Sequence, residues 1–365
     1  MAVKSFSSSP IATAKFDELS VEILGLYSRL RPTQEQLDEK TDFLMRLQRS
    51  IDNVMDGAVV APFGSAVNGF WSPNSDIDVC VQLAGCRRKA DQVNVLRKIA
   101  NALHSITSHY IEPRFGARVP IIHWAPRRPG YLACDISINN NLAVVNSRLV
   151  GAYCSIDERM APLGMAIKHW AKARGINDRS RGTLSSFSLL MMLIHFLQRR
   201  NPPILPSLQD LALELNEPLT YLEGADIRFI RDPNVIKTEM DQLSNGVPNC
   251  ESVGELFYHF FRYYGFEYKQ GVIAVRDLRQ FDIPADRSQF LVVDNPFEVG
   301  KDVANVNPSQ HARIRLELRR VKSLLDDSSN LASICSVAEV PKTAAKNKTH
   351  PLDPPVQTLG RSRHH

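Results

Sequence analysis

The chain has no Cys-x-x-Cys pair among its six cysteines, which fall at positions 80, 86, 134, 154, 250 and 335. That spacing argues against a zinc site and reads as reduced, mostly buried thiols in a reducing compartment. It has no run long and apolar enough to span a bilayer, so no membrane partner is expected. The first fifteen residues contain no acid and no arginine. A mitochondrial transit peptide is usually Arg-rich, so residues 1–16 read as a disordered leader. The expected compartment is the cytoplasm, with the mitochondrion as the alternative. No internal repeat is visible. The charge is not extreme: a net +5 over 365 residues is compatible with an RNA-binding groove and does not establish one. At 44% hydrophobic and 23% charged residues, the composition is that of a soluble protein of about two domains.

What is present is concentrated between Phe63 and Leu83, the stretch FGSAVNGFWSPNSDIDVCVQL. It reads as a strand ending near Phe63, a Gly64-Ser65 turn opening a short helix, a polar turn, and a second strand carrying Asp76 and Asp78. Alternate strand residues share a face, so the two carboxylates aim the same way. Like charges that close are unfavourable unless a cation lies between them. Mg2+ suits them, being hard and usually held by a few carboxylates plus substrate phosphates. Glycine lets backbone approach a ligand, and N–H groups at a helix start bind phosphate.

This stretch resembles the nucleotidyltransferases of the DNA polymerase beta superfamily, whose signature is Gly-Ser, a short helix and an acidic DxD strand. The resemblance asks for a third carboxylate. Val119–Trp124, a turn at Pro126–Gly130 and Tyr131–Ile138 read as a hairpin. Asp135 interrupts its second strand, where a charge is unfavourable unless paired or metal-bound. Arg127 and Arg128 at the tip are candidates for phosphate contact or plain solvated turn residues.

Elsewhere helical spacing dominates. Leu19, Ile23, Leu26 and Leu30, then Leu37, Leu44, Leu47 and Ile51, mark two helices broken at Arg31-Pro32-Thr33, with Thr33 as N-cap. Lys168 and Lys172, four apart, share a helix face, with Ile167 and Trp170 packed inward. Gly182–Ser188 opens an apolar helix near Ser185 or Ser186.

DISINNNLAVVNS, then IKHWAK, then GTLSSF, followed by Gly254–Glu267, is similar in order to the terminal uridylyltransferases and cytoplasmic-type poly(A) polymerases. The similarity runs from about Phe63 to Arg320. It implies that Asp76, Asp78 and Asp135 hold two Mg2+ ions, with Mn2+ as a substitute, and that Asp135 takes up the proton of the RNA 3' hydroxyl. It implies that Phe63, Gly64 and Ser65 form the phosphate-binding turn and that Lys168 and Lys172 bind the triphosphate. Asn146 and Ser147 match residues near ribose and base. Ser186-Phe187 stands where the family usually has Ser-Tyr, so Phe187 keeps the stacking ring and loses the hydroxyl. Glu298 lies in the segment beside the base edge. Asn295 replaces the usual second acid there, and Lys301 occupies the place of a histidine that favours uracil.

The fold class so implied is α+β, a polymerase-beta-like catalytic domain beside a mainly helical domain with the nucleotide in the cleft between them. The expected catalytic domain is residues 56–150. The helical domain combines 17–55 with 151–325, its nucleotide-recognition region at about 250–300, and residues 328–365 read as a disordered tail. The expected function is template-independent transfer of UMP from UTP to RNA 3' ends, with ATP and poly(A) synthesis as the alternative. An RNA-binding partner protein would add RNA specificity. A catalytically inactive RNA-binding scaffold and an enzyme making small nucleotide products are the other readings. Both are disfavoured, the first because all three carboxylates are present.

Overall fold

Two helices form where the periodicity and its break at Pro32 place them. In the computed structural model, which describes residues 10–73, 75–106, 110–125, 132–269, 271–276 and 291–337, α1 spans Pro10–Leu30 and α2 spans Gln34–Asp52. Thr33 caps α2 in a reciprocal box: its hydroxyl accepts the Gln36 N–H, and the Gln36 side chain accepts the Thr33 N–H. Helix α1 starts ahead of the expected end of the leader, so residues 10–16 are helical; residues 1–9 lie outside the described residues.

Next come β1 (Val59–Phe63), a 3-10 turn (Gly64–Ala66), β2 (Ile77–Gln82), α3 (Lys89–Ile106), β3 (Tyr110–Arg114), β4 (Ile121–Ala125) and β5 (Cys134–Ile138). They make one five-stranded sheet in the order β1-β2-β5-β4-β3. Only the β2–β5 pair is parallel, as a connection through α3 requires. The expected hairpin forms between β4 and β5; its tip, including Arg127 and Arg128, lies outside the described residues.

Strand alternation then sorts the residues by face. Ile77, Val79, Val81, Ile122, Cys134 and Ile136 form a core with Leu96, Ile99 and Leu103 of α3. The intervening residues Asp78, His123 and Asp135 take the opposite face. Helix α2 departs from the expectation that it joins the helical domain, because Leu47 and Ile51 are buried in this sheet core. Periodicity reveals an apolar face and not which core will cover it.

The remaining helices are α4 (Asn141–Cys154), α5 (Met160–Ala173), α6 (Ser186–Gln198), α7 (Leu208–Glu214), α8 (Pro233–Leu243), α9 (Val253–Arg262), α10 (Pro308–Asp326) and α11 (Leu331–Ile334). Two-residue strands β6 (Tyr221–Leu222), β7 (Ala225–Asp226), β8 (Val272–Ile273) and β9 (Val292–Val293) punctuate them. Ser185 caps α6 in a second box with Ser188. A second core gathers α1, α5, α6, α9 and α10, with Trp170 edge-on to Phe261 at 4.7 Å between ring centroids. Helix α4 belongs to both sides: Val144 packs on Ala61 and Cys80 of the sheet, while Leu149, Val150 and Tyr153 enter the helical core. The boundary expected at residue 150 therefore falls inside a shared helix. Residues 328–337 also depart from the expected disordered tail, because Leu331 and Ile334 of α11 are buried against the helical core.

Among the described residues, no helix is long and apolar enough to cross a membrane.

The end of α5 is tied to α10 by a bidentate ion pair, Arg174 to Glu317, both bonds 3.0 Å. Arg320 adds a third bond to the same carboxylate. The pair is largely shielded, at 13% and 14% exposure. Removing one partner of such a pair leaves a desolvated charge behind. Glu317→Ala is therefore expected to destabilise the fold by about 3 kcal/mol in denaturant unfolding. An unchanged midpoint would show that the arginines find other partners.

Candidate active site

The functional face of the sheet carries one row of residues in register. Phe63 pairs with Asp78, Asp78 with Asp135, Asp135 with His123, and His123 with Glu112. Asp76 stands exposed just before β2. One oxygen each from Asp76 and Asp135 and one ring nitrogen of His123 lie within 4.8 Å of one another. Asp78 is held deeper. Burial pushes its carboxyl from 3.8 up to about 7, Asp135 and Asp76 push the same way, and Lys168 opposes them.

Lys168 reaches the site from α5. Its ammonium donates to the Phe70 carbonyl at 3.1 Å. Burial brings its pKa down to about 8, with the Lys172 charge adding to the fall and Asp78 countering it. Lys172 is exposed on the same helix face. Three acids thus converge with one partly buried lysine as counter-charge. The donor set fits a divalent cation: hard carboxylate oxygens whose mutual repulsion a cation would relieve.

The phosphate turn is shaped by a close approach. Gly64 has φ +64°, and a Cβ there would stand 2.3 Å from Asp78 Oδ2. Its N–H donates to Ser147 Oγ at 2.7 Å, and the Ser147 hydroxyl donates to the Ala143 carbonyl. Ser147 is therefore buried and engaged with the turn rather than open to a ligand. From α2, Lys40 donates to the Ala66 carbonyl at 2.8 Å, which braces the turn from behind. Asn146 differs from its neighbour: its buried Oδ1 has no partner among the described residues.

Of the other expected nucleotide contacts, Ser186 Oγ donates to Asn177 Oδ1 at 3.1 Å, and Phe187 packs half-buried at the edge of the helical core. Glu298 is held on both oxygens by Lys301 at 2.6 Å and by Asn295 Nδ2 at 2.9 Å.

Three comparisons bear on this arrangement. The family described as the central palm domain of mitochondrial-like poly(A) RNA polymerase matches residues 19–155. Poly(A) RNA polymerase cid11 of Schizosaccharomyces pombe is 31% identical over 335 residues, 88% of this chain and 66% of that protein. Terminal uridylyltransferase 4 of Homo sapiens is 31% identical over 304 residues, 80% of this chain and 18% of that protein. The solved structure of the Cid1 poly(U) polymerase with MgGTP superposes with a TM-score of 0.74 at 26% identity, over 88% of this chain and 99% of that one. The chain belongs to the terminal uridylyltransferase and cytoplasmic-type poly(A) polymerase family.

It spans less than two thirds of the length of these curated relatives. Against the resemblance to that family, the addition is His123. Its Nδ1 is 2.6 Å from Asp135 Oδ1, and sequence reading passed over it. The signal was available: a hairpin closed by the Pro126–Gly130 turn brings His123 and Asp135 to facing positions.

Proposed function

We propose that the chain is a template-independent RNA nucleotidyltransferase that transfers UMP from UTP to an RNA 3' hydroxyl and releases pyrophosphate. The observation that carries this reading is the approach of Asp76, just before β2, to Asp78 and Asp135 on the sheet, with Lys168 as counter-charge. Asp76, Asp78 and Asp135 would hold Mg2+. Bound there, such ions acidify the attacking hydroxyl and neutralise charge on the phosphates.

The chain's own groups divide the remaining work. Asp135 accepts the hydroxyl proton as the new O3'–phosphorus bond forms and the bond to the β-phosphate oxygen breaks. Lys168 and Lys172 hold the negative charge of the departing pyrophosphate. The Gly64-Ser65 turn follows the phosphates, with Ser147 fixing the turn and Phe63 leading into it from β1. The free Oδ1 of Asn146 accepts from a ribose hydroxyl. Phe187 stacks on the base, and Ser186 holds the helix start that presents it. Glu298, gripped by Lys301 and Asn295, meets the base edge.

The choice of UTP is supported by the terminal uridylyltransferase and poly(U) polymerase names among the relatives. ATP is the second reading, supported by a poly(A) polymerase relative of equal identity and by Lys301 capping Glu298. The cytoplasm is the proposed compartment, in keeping with six free cysteines.

Incubating labelled single-stranded RNA with Mg2+ and one nucleoside triphosphate at a time tests the proposal. A ladder with UTP is expected. A ladder with ATP alone would transfer the assignment to poly(A) synthesis. A folded protein that extends no RNA with any of the four would overturn it.

A further inference from the structure

We propose that His123 is a positioning residue of the nucleotidyltransferase site: it orients the Asp135 carboxylate that holds metal and receives the hydroxyl proton. The inference rests on the reading under Proposed function and adds to it a group outside the acidic triad.

The geometry is specific. His123 Nδ1 lies 2.6 Å from Asp135 Oδ1, and both side chains are shielded, at 16% and 24% exposure. An ionised carboxylate only accepts, so Nδ1 carries the proton and donates. Among the described residues, no other side chain hydrogen-bonds Asp135. The remaining acids are constrained differently. Asp78 is pinned beneath Gly64, and Asp76 stands at the open start of β2. Asp135 thus depends on His123 for the rotation of its carboxylate plane.

The histidine is itself fixed from below. It faces Asp135 in the β4–β5 register, and its neighbours Ile122 and Trp124 anchor β4 in the sheet core. A short bond from a shielded donor fixes one oxygen of a carboxylate that lies within 4.8 Å of an Asp76 oxygen, the pair that would share a cation. Groups that orient a ligand in this way commonly change metal affinity or activity by about 10–100-fold when removed.

The test compares His123→Leu, which removes the donor, with His123→Asn, which keeps an N–H near the Nδ1 position. Mn2+ binding to nucleotide-free protein is read by electron paramagnetic resonance, and RNA extension is read as kcat and nucleotide KM. The leucine variant is expected to bind Mn2+ about 10–100-fold more weakly and to lose kcat by a similar factor. Nucleotide KM should stay within about twofold, because the contact acts at the reacting end and not on the triphosphate. The asparagine variant should recover most of both losses. Wild-type Mn2+ affinity and kcat in His123→Leu would overturn the proposal, as would an asparagine variant as impaired as leucine.

If His123→Leu fails to fold, His123→Gln replaces it. Its amide sits one methylene further out, so it should be impaired where asparagine is not, and equal behaviour of the two overturns the proposal. Asp76→Ala separates the levels of the claim. Undiminished Mn2+ binding in that variant would remove the metal site itself, whereas loss there with none in His123→Leu removes only the histidine's role.

Discussion

Asp78→Asn is expected to lower RNA extension by on the order of 10²–10³-fold while raising the melting temperature of the metal-free protein at pH 8. The two effects have opposite signs because one feature causes both. Asp78 is buried beside two other acids, and its carboxyl sits at about 7 instead of 3.8. That displacement corresponds to about 4 kcal/mol of destabilisation in the ionised, cation-free state. Because the folded-state value lies above the unfolded one, the destabilisation is absent below pH 3.8. It grows between there and about 7, and is complete above that. Thermal melts in EDTA at pH 5 and pH 8 check this. Wild-type protein should lose stability between the two relative to Asp78→Asn. A variant that melts lower than wild type at pH 8 would mean that the carboxylate is already compensated without metal.

The second large effect is expected from Gly64→Ala. The new methyl group would meet Asp78 Oδ2 at 2.3 Å, in a backbone at φ +64°. Left-handed backbone alone disfavours alanine by about 1–2 kcal/mol. Gly57→Ala isolates that part, since Gly57 has φ +71° and a Cβ there meets nothing within 4 Å. Both variants should lose similar stability from backbone strain. Only Gly64→Ala should lose extension, by on the order of 10²-fold, because the turn and Asp78 must separate. Nucleotide KM should rise and kcat should fall together, since the same glycine shapes the phosphate turn and locates a metal-holding carboxylate. Equal activity in the two variants would show that the turn yields without disturbing the acid.

The acids were legible because strand alternation and charge in an apolar run are local signals. Asp78 and Asp135 each break a pattern that the neighbouring residues define, whereas Asp76, expected on the second strand, falls in the polar turn just before β2 and was marked only by its spacing from Asp78. His123 breaks none, since histidine in a half-buried strand is unremarkable and its meaning lies in the register of a second strand. Ser147 was legible as important but not in its role. Only the fold shows its hydroxyl between the Gly64 N–H and the Ala143 carbonyl. The allegiance of α2 was hidden for a similar reason: Leu47 and Ile51 advertise an apolar stripe equally well to either core. At the C-terminal side, Ser-rich composition outweighed Leu331 and Ile334. Two buried apolar residues dock a short helix that no propensity argument would keep.

The packing of α1 has a consequence for how the chain is made. Its apolar face, Leu19, Ile23 and Leu26, is covered by the helical core, and Glu22 accepts the Leu331 N–H across 309 residues of sequence. Gly254 and Ser20 are joined across 234. During synthesis at about 5–20 residues per second, α1 would emerge roughly 15 to 60 s before its last partner. The catalytic sheet, complete by Ile138, can fold in that interval, while an uncovered leucine-isoleucine stripe waits beside it. The nascent chain is therefore most exposed to aggregation or chaperone capture at α1. Slowing translation downstream of the sheet should lengthen that exposure without altering the finished site.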